Sequence, residues 1–130
     1  MIKDHGRITI LAILIWLASN SPAHAATNSS SLTHHLSQLK HPPDFTAIIQ
    51  PPFVVLGDES PAEVQLHATR TVKFAVDQLK QLYFTNDPPE TINIWLFKDA
   101  TSYTNHARSL FGDTPTTKFG YYSSQPPKHG

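Results

Sequence analysis

Asp99, Tyr103, Asn105 and His106 fall close together in "LFKDATSYTNHARSLFG", residues 96–112. A histidine within reach of a carboxylate can act as a general base, so this stretch is the first candidate for chemistry. Asp58 and Glu59 offer a second, a carboxylate pair of the kind glycosidases use. Adjacent strand residues point to opposite faces, however, and an acid just before a helix favours the helix dipole. That pair is therefore expected to be structural. His34, His35 and His41 offer a third candidate. Zinc hydrolysis needs two histidines a helical turn apart and a glutamate able to polarise the metal-bound water. No HExxH occurs, and these three have neither the spacing nor the glutamate. There is no GxSxG and no cysteine, and the five glycines are scattered, so no phosphate loop forms. His67 sits near an apolar stripe, where a histidine is normally a hydrogen-bonded boundary residue. The chain on its own supplies no complete catalytic site and no metal set.

The elements that must position these residues can be read in order. Lys3 and Arg7 precede an apolar run, "ITILAILIWLA", and "SPAHA" ends at Ala25. This is the pattern of a secretory signal peptide over 1–25, cleaved near Ala25, which implies an exported protein, periplasmic or secreted. The run is too short for a bilayer core, which needs about 20 helical residues, so no retained membrane span is expected. Of ten Lys/Arg and ten Asp/Glu, eight and nine remain once Lys3, Arg7 and Asp4 leave with the leader. Near-neutral charge without a basic stripe excludes nucleic acid as a partner.

Residues 26–50 are expected to be a polar leader or linker. Leu32, Leu36 and Leu39 could line one short helical face, and Pro42-Pro43 stops it. Residues 51–130 form the domain. Phe53 to Leu56 predicts a strand, and Ser60, Pro61 and Glu63 make a capping box with proline at the first helical position. The helix that follows is predicted over about 61–84, with a stripe of Val64, Ala68, Val72, Ala75, Leu79, Leu82 and Tyr83. In "ETINIWLFKD", Ile92, Ile94 and Leu96 share one face of a strand, and Asn93, Trp95 and Phe97 share the other. Aromatic residues on the second face predict a central strand covered on both sides. Asp99 then caps a second, shorter helix that Gly112 closes in the left-handed conformation. Lys118 to Ser123, "KFGYYS", predicts a further strand with nothing after it to pair or cover it. The fold class is α+β, a small sheet with one long and one shorter helix, expected to be incomplete at its C-terminal side.

These pieces, "FVVLGDESPAE", a long helix ending in "LYF", "INIWLFKDATSYTNHARSLFG" and "TPTTKFGYYS", resemble the N-terminal portion of a family. That family is the exported bacterial peptidase-MA-like proteins, in the gluzincin group of zinc metallopeptidases. The resemblance spans about residues 53–123. It implies a small α+β subdomain of strand, helix, strand, helix and hairpin strand, with the zinc-binding helix beyond it. No position here matches the family's HExxH or its downstream glutamate, so no catalytic residue and no metal ligand carries over. Zinc and a peptide or protein substrate are implied only for a longer protein that includes that motif. What carries over is a substrate-side surface formed by Trp95, His106, Gly120, Tyr121 and Tyr122. The other expectation is a complete small exported protein that binds a peptide, a glycan or an envelope partner through its sheet.

Overall fold

The structure is a computed structural model that describes residues 10–12, 29–123 and 127. Its strands are β1 (Ile10–Ala12), β2 (Thr46–Gln50), β3 (Phe53–Gly57) and β4 (Ile92–Phe97). They form one mixed sheet in the order β1-β4-β3-β2. β2 and β3 are an antiparallel hairpin in which Gln50 pairs with Phe53 across a cis Pro51-Pro52 bond. β3 and β4 run parallel, with Gly57 opposite Leu96, and β1 lies antiparallel on the far edge of β4. Parallel neighbours need a crossover, and the long helix between β3 and β4 supplies it. The fold is α+β.

Of the signal segment expected over 1–25, only Ile10–Ala12 is described. The rest, with the cleavage position, lies outside the described residues. The stretch read as a polar leader contributes both α1 (Ser29–Gln38) and β2. Leu32 is fully buried, and Leu36 and Leu39 pack behind it against the core. The leucine face was expected; its burial in the domain was not. β2 escaped notice because all five of its residues are half-buried, so no alternation marks it.

The crossover helix starts as the capping box predicts. The Ser60 hydroxyl accepts from the Glu63 N–H at 3.3 Å, and Pro61 opens α2 (Pro61–His67). A π-helical turn (Ala68–Val72) follows, then α3 (Lys73–Leu82), the whole being one rod over 61–82. Val64, Ala68 and Val72 are buried at intervals of four. Four residues of an α-helix turn about 400°, so such a series drifts about 40° per step. The wider π turn takes up that drift and keeps all three over the sheet. β3 and this helix approach closely: a Cβ on Gly57 would sit 2.7 Å from Val64 Cγ2. Val64 is fully buried and β-branched, so it has little room to give.

The expected stripe fails beyond Val72. α3 buries none of its residues, and Leu79, Leu82, Tyr83 and Phe84 stay exposed. Of this part of the helix Val76 alone packs against the core, half-buried; the rest of its apolar pattern meets no second surface among the described residues.

All six residues of β4 are buried, as its aromatic second face predicts. On that face Trp95 and Phe97 join Leu32, Phe45, Tyr103, Leu110 and Phe111 in one cluster; on the other, Ile92, Ile94 and Leu96 meet Val64, Ala68 and Val72. Asp99 caps α4 (Ala100–His106), its carboxylate accepting from the Ser102 N–H at 2.7 Å. A second π turn (Ala107–Phe111) ends at Gly112, whose φ of 74° is the left-handed cap expected. Here too the buried residues Tyr103, Ala107 and Phe111 repeat every four.

Lys118 to Ser123 is not a strand. Thr117 Oγ1 donates to the Gly120 carbonyl at 2.6 Å, and Gly120 has a φ of 118°, outside the extended region a ladder requires. Along Trp95–Phe97 the β4 edge that such a strand could join is taken by β1.

Candidate functional site

The parallel pairing of β3 and β4 brings together side chains far apart in sequence. Asp58 leaves β3 beside the end of β4, and its Oδ1 accepts from the Lys98 N–H at 2.7 Å. Its Oδ2 accepts from the Ser102 hydroxyl on the first turn of α4. One helical turn on, His106 Nδ1 lies 3.0 Å from Ser102 Oγ and 3.0 Å from the Ser102 carbonyl. The His106 ring stacks on Phe97 at 5.8 Å and meets Phe45 edge-on at 4.9 Å, while Nε2 faces Asp44 Oδ2 at 3.9 Å. Asp58 is 1% exposed, His106 21% and Asp44 60%. The site therefore grades from a buried carboxylate to a solvated one across a single imidazole.

An aspartate, a serine and a histidine in contact invite comparison with a hydrolytic triad, but the proton order is reversed. A carbonyl only accepts, so the hydrogen bond to the Ser102 carbonyl places a proton on Nδ1. The Ser102 hydroxyl in turn donates to Asp58. A nucleophilic serine needs the histidine as acceptor of its own proton, with the carboxylate behind the imidazole. Here the serine stands between the two, and its proton points at the carboxylate. The arrangement fastens the start of α4 to the ends of β3 and β4; it does not activate an oxygen.

The residues present do not fit a zinc ion either. Both Asp58 oxygens are engaged by protein donors, which leaves one imidazole nitrogen and an exposed Asp44 on that side. Among the described residues no three His, Asp or Glu side chains converge as a metal set would require. No helix among them is long and apolar enough to cross a membrane.

No family model matches the chain, and no curated protein or solved structure matches it either.

The five residues expected to form a substrate-side surface do not share one. Trp95 is 1% exposed, packed edge-on against Phe45 at 5.3 Å and Phe111 at 5.9 Å, so it offers no surface. α1, Phe45 and the helix over 100–111 cover its face of β4, as expected of a central strand, and leave Trp95 no part in a surface. His106 reaches the rim of the same cluster through Phe45. Tyr121 joins it through Tyr103, 6.1 Å away, while Tyr122 stands 47% exposed. Burial pushes the Tyr103 phenol above its ordinary range. Burial, and then the Asp113 carboxylate, push that of Tyr121 up as well.

Two participants, Ser102 and Phe45, were missed by sequence reasoning, and Asp58 was weighed but set aside as structural. The Ser102–His106 spacing of one turn was visible in the sequence. Asp58 could be added only once β3 and β4 were known to be parallel neighbours. Phe45, which touches Trp95, Phe97 and His106, lay in the supposed linker. One histidine of that segment has a structural explanation: His35 Nε2 lies 2.9 Å from Asn93 Oδ1 and ties α1 to β4. His67 Nε2 lies 3.1 Å from Glu59, a boundary position as expected.

Proposed function

We propose that this chain is the non-catalytic N-terminal part of an exported zinc-metallopeptidase-like protein, a scaffold ahead of the residues that would do the chemistry. The observation that carries this reading is the run β3, crossover helix, β4, α4. It matches the first four elements that the motif resemblance implies, in order. The Asp58–Ser102–His106 cluster supports it from the other side, because its proton order suits a fastening and not a nucleophile. In the longer protein a glutamate would act as general base on a zinc-bound water to cleave a peptide bond. Those groups would come from the segment beyond residue 130, and no step of that reaction is assigned to residues of this chain.

The deciding experiment is to sequence the locus past codon 130 in all three forward frames. An HExxH downstream, in frame or recoverable by one frameshift, is the expected result. A genuine stop with no such motif beyond it sinks the reading.

A second reading is a small exported binding protein. It is favoured by the exposed apolar side of α3, where Leu79, Leu82 and Tyr83 face solvent. A finished module should unfold in one cooperative transition with a stop codon confirmed, whereas a scaffold fragment should expose apolar surface and lose fixed packing.

A further inference from the structure

β4 carries the marks of an interior strand but lacks a complete second neighbour. All of its residues, Ile92–Phe97, are buried. Among them is neither the charge nor the proline that blunts an exposed sheet edge. β3 pairs with it along Ile92–Leu96, whereas β1 covers the other edge only along Trp95–Phe97. The direction of each backbone group follows from one hydrogen bond. The Asp58 N–H donates to the Leu96 carbonyl at 3.4 Å, so Leu96 turns its backbone toward β3. Successive residues of a strand alternate, so Ile94 does the same, while Asn93, Trp95 and Phe97 face the other edge. The antiparallel register sets Trp95 opposite Ala12 and Phe97 opposite Ile10, which makes these the hydrogen-bonded pairs with β1. Asn93 faces the same way, beyond the end of β1.

We propose that the outer edge of β4 is a strand-acceptor site, that its occupant in the unprocessed chain is the leader, through Ile10–Ala12, and that removal of residues 1–25 opens it. This rests on the reading of 1–25 as a cleaved signal segment. The occupant is the strand already seated there, and the register fixes its direction as antiparallel. Both core clusters are made of residues between Leu32 and Tyr121, downstream of the cleavage position, so processing leaves those members in place. What changes is the character of the edge. Before processing, Trp95 and Phe97 have ladder partners. Afterwards a strand buried along its whole length keeps the N–H and C=O groups of Asn93, Trp95 and Phe97 unpaired on one side, the arrangement that recruits a further strand. The leader residues cannot stand in this ladder and be engaged in export at the same time. Folding onto β4 and processing are therefore alternatives for one segment.

The test is amide hydrogen exchange, read residue by residue, on the full chain purified with its leader intact. Trp95 and Phe97 should be protected, and Ile94 and Leu96, whose amides face β3, supply an internal reference for an intact sheet. Ala12→Pro removes the N–H that Ala12 gives to the Trp95 carbonyl. In that variant Trp95 and Phe97 should exchange about tenfold faster or more, with Ile94 and Leu96 unchanged. Equal exchange of Trp95 and Phe97 in the two chains would overturn the proposal. Faster exchange at Ile94 and Leu96 as well would make β1 an integral strand, and it would overturn the idea that processing opens an edge on a standing sheet. Mass spectrometry of the chain recovered from the cell envelope tests the leader reading separately. A chain beginning at Ala26 is expected. One that keeps residues 1–25, with Trp95 and Phe97 protected by β1, would sink the leader reading and the opening with it. Cleavage at Ala25 with no effect of Ala12→Pro would sink the acceptor site alone.

Discussion

Asp58 shows how much of a site can be structural even when its members look catalytic. Its carboxylate is buried and accepts two hydrogen bonds, one from the Lys98 N–H and one from the Ser102 hydroxyl. Hydrogen bonds to a charged acceptor contribute about 1.5–3 kcal/mol each, and removing the acceptor leaves both donors orphaned. Asp58→Ala is therefore expected to cost about 3–5 kcal/mol in chemical denaturation. Asp58→Asn should cost less, because its carbonyl oxygen can still receive the Lys98 N–H. Equal stability of all three proteins would show that the cluster fastens nothing. In sequence, Asp58 was weighed as half of a carboxylate pair with Glu59 and set aside as structural. Its partner lies 44 positions away, across a register that no local pattern encodes.

The elements that were legible are those whose ends carry their own chemistry. Ser60 with Pro61, Asp99, and Gly112 each mark a boundary that the structure keeps, because each satisfies orphan backbone groups locally. β4 was legible from its alternating faces. β2 and the interior position of α1 were not. A half-buried edge strand lacks a period, and a serine- and histidine-rich helix shows its leucines only on one narrow line. Strand 118–123 was misread from composition: its aromatic residues suit a ladder, but the φ of Gly120 does not. The role of α1 is open to direct test. Leu32 has no exposed surface and lies in the cluster with Trp95 and Phe97. Leu32→Ala should lower the unfolding free energy by about 2–5 kcal/mol, a core-sized loss. A change near zero in urea titration would return residues 29–38 to the status of a tether.

At the scale of the whole molecule, one sheet separates two cores of different character. The face toward α1 and α4 is aromatic and closed; the face toward the crossover helix is aliphatic, dense near Val64 and open toward Leu79. The closed side brings a titration of its own. Tyr103 and Tyr121 have phenols raised above 10.0, in each case chiefly by burial. The native state thus favours the neutral phenols more than the unfolded chain does. Their contribution is whole below pH 10 and is lost as pH rises from there through the folded-state values. Denaturant midpoints should fall as pH rises above 10 and not below it, and Tyr103→Phe with Tyr121→Phe should flatten that fall. An equally steep fall in the double variant would assign it to other groups.

The π turn at Ala68–Val72 bears on how this chain would compare with its descendants and cousins. Such a turn accommodates one residue more than the α-helix around it, so losing a single residue there need not break the helix. It would return the rod to plain α-helix, with the Val72 position three residues after Ala68 and still on the buried face, and α3 would keep its orientation. A one-residue gap over 68–72 in an aligned relative would therefore mark the same sheet, the same caps and the same side of α3 turned outward, whereas a gap within α3 itself would turn every residue beyond it by about 100°.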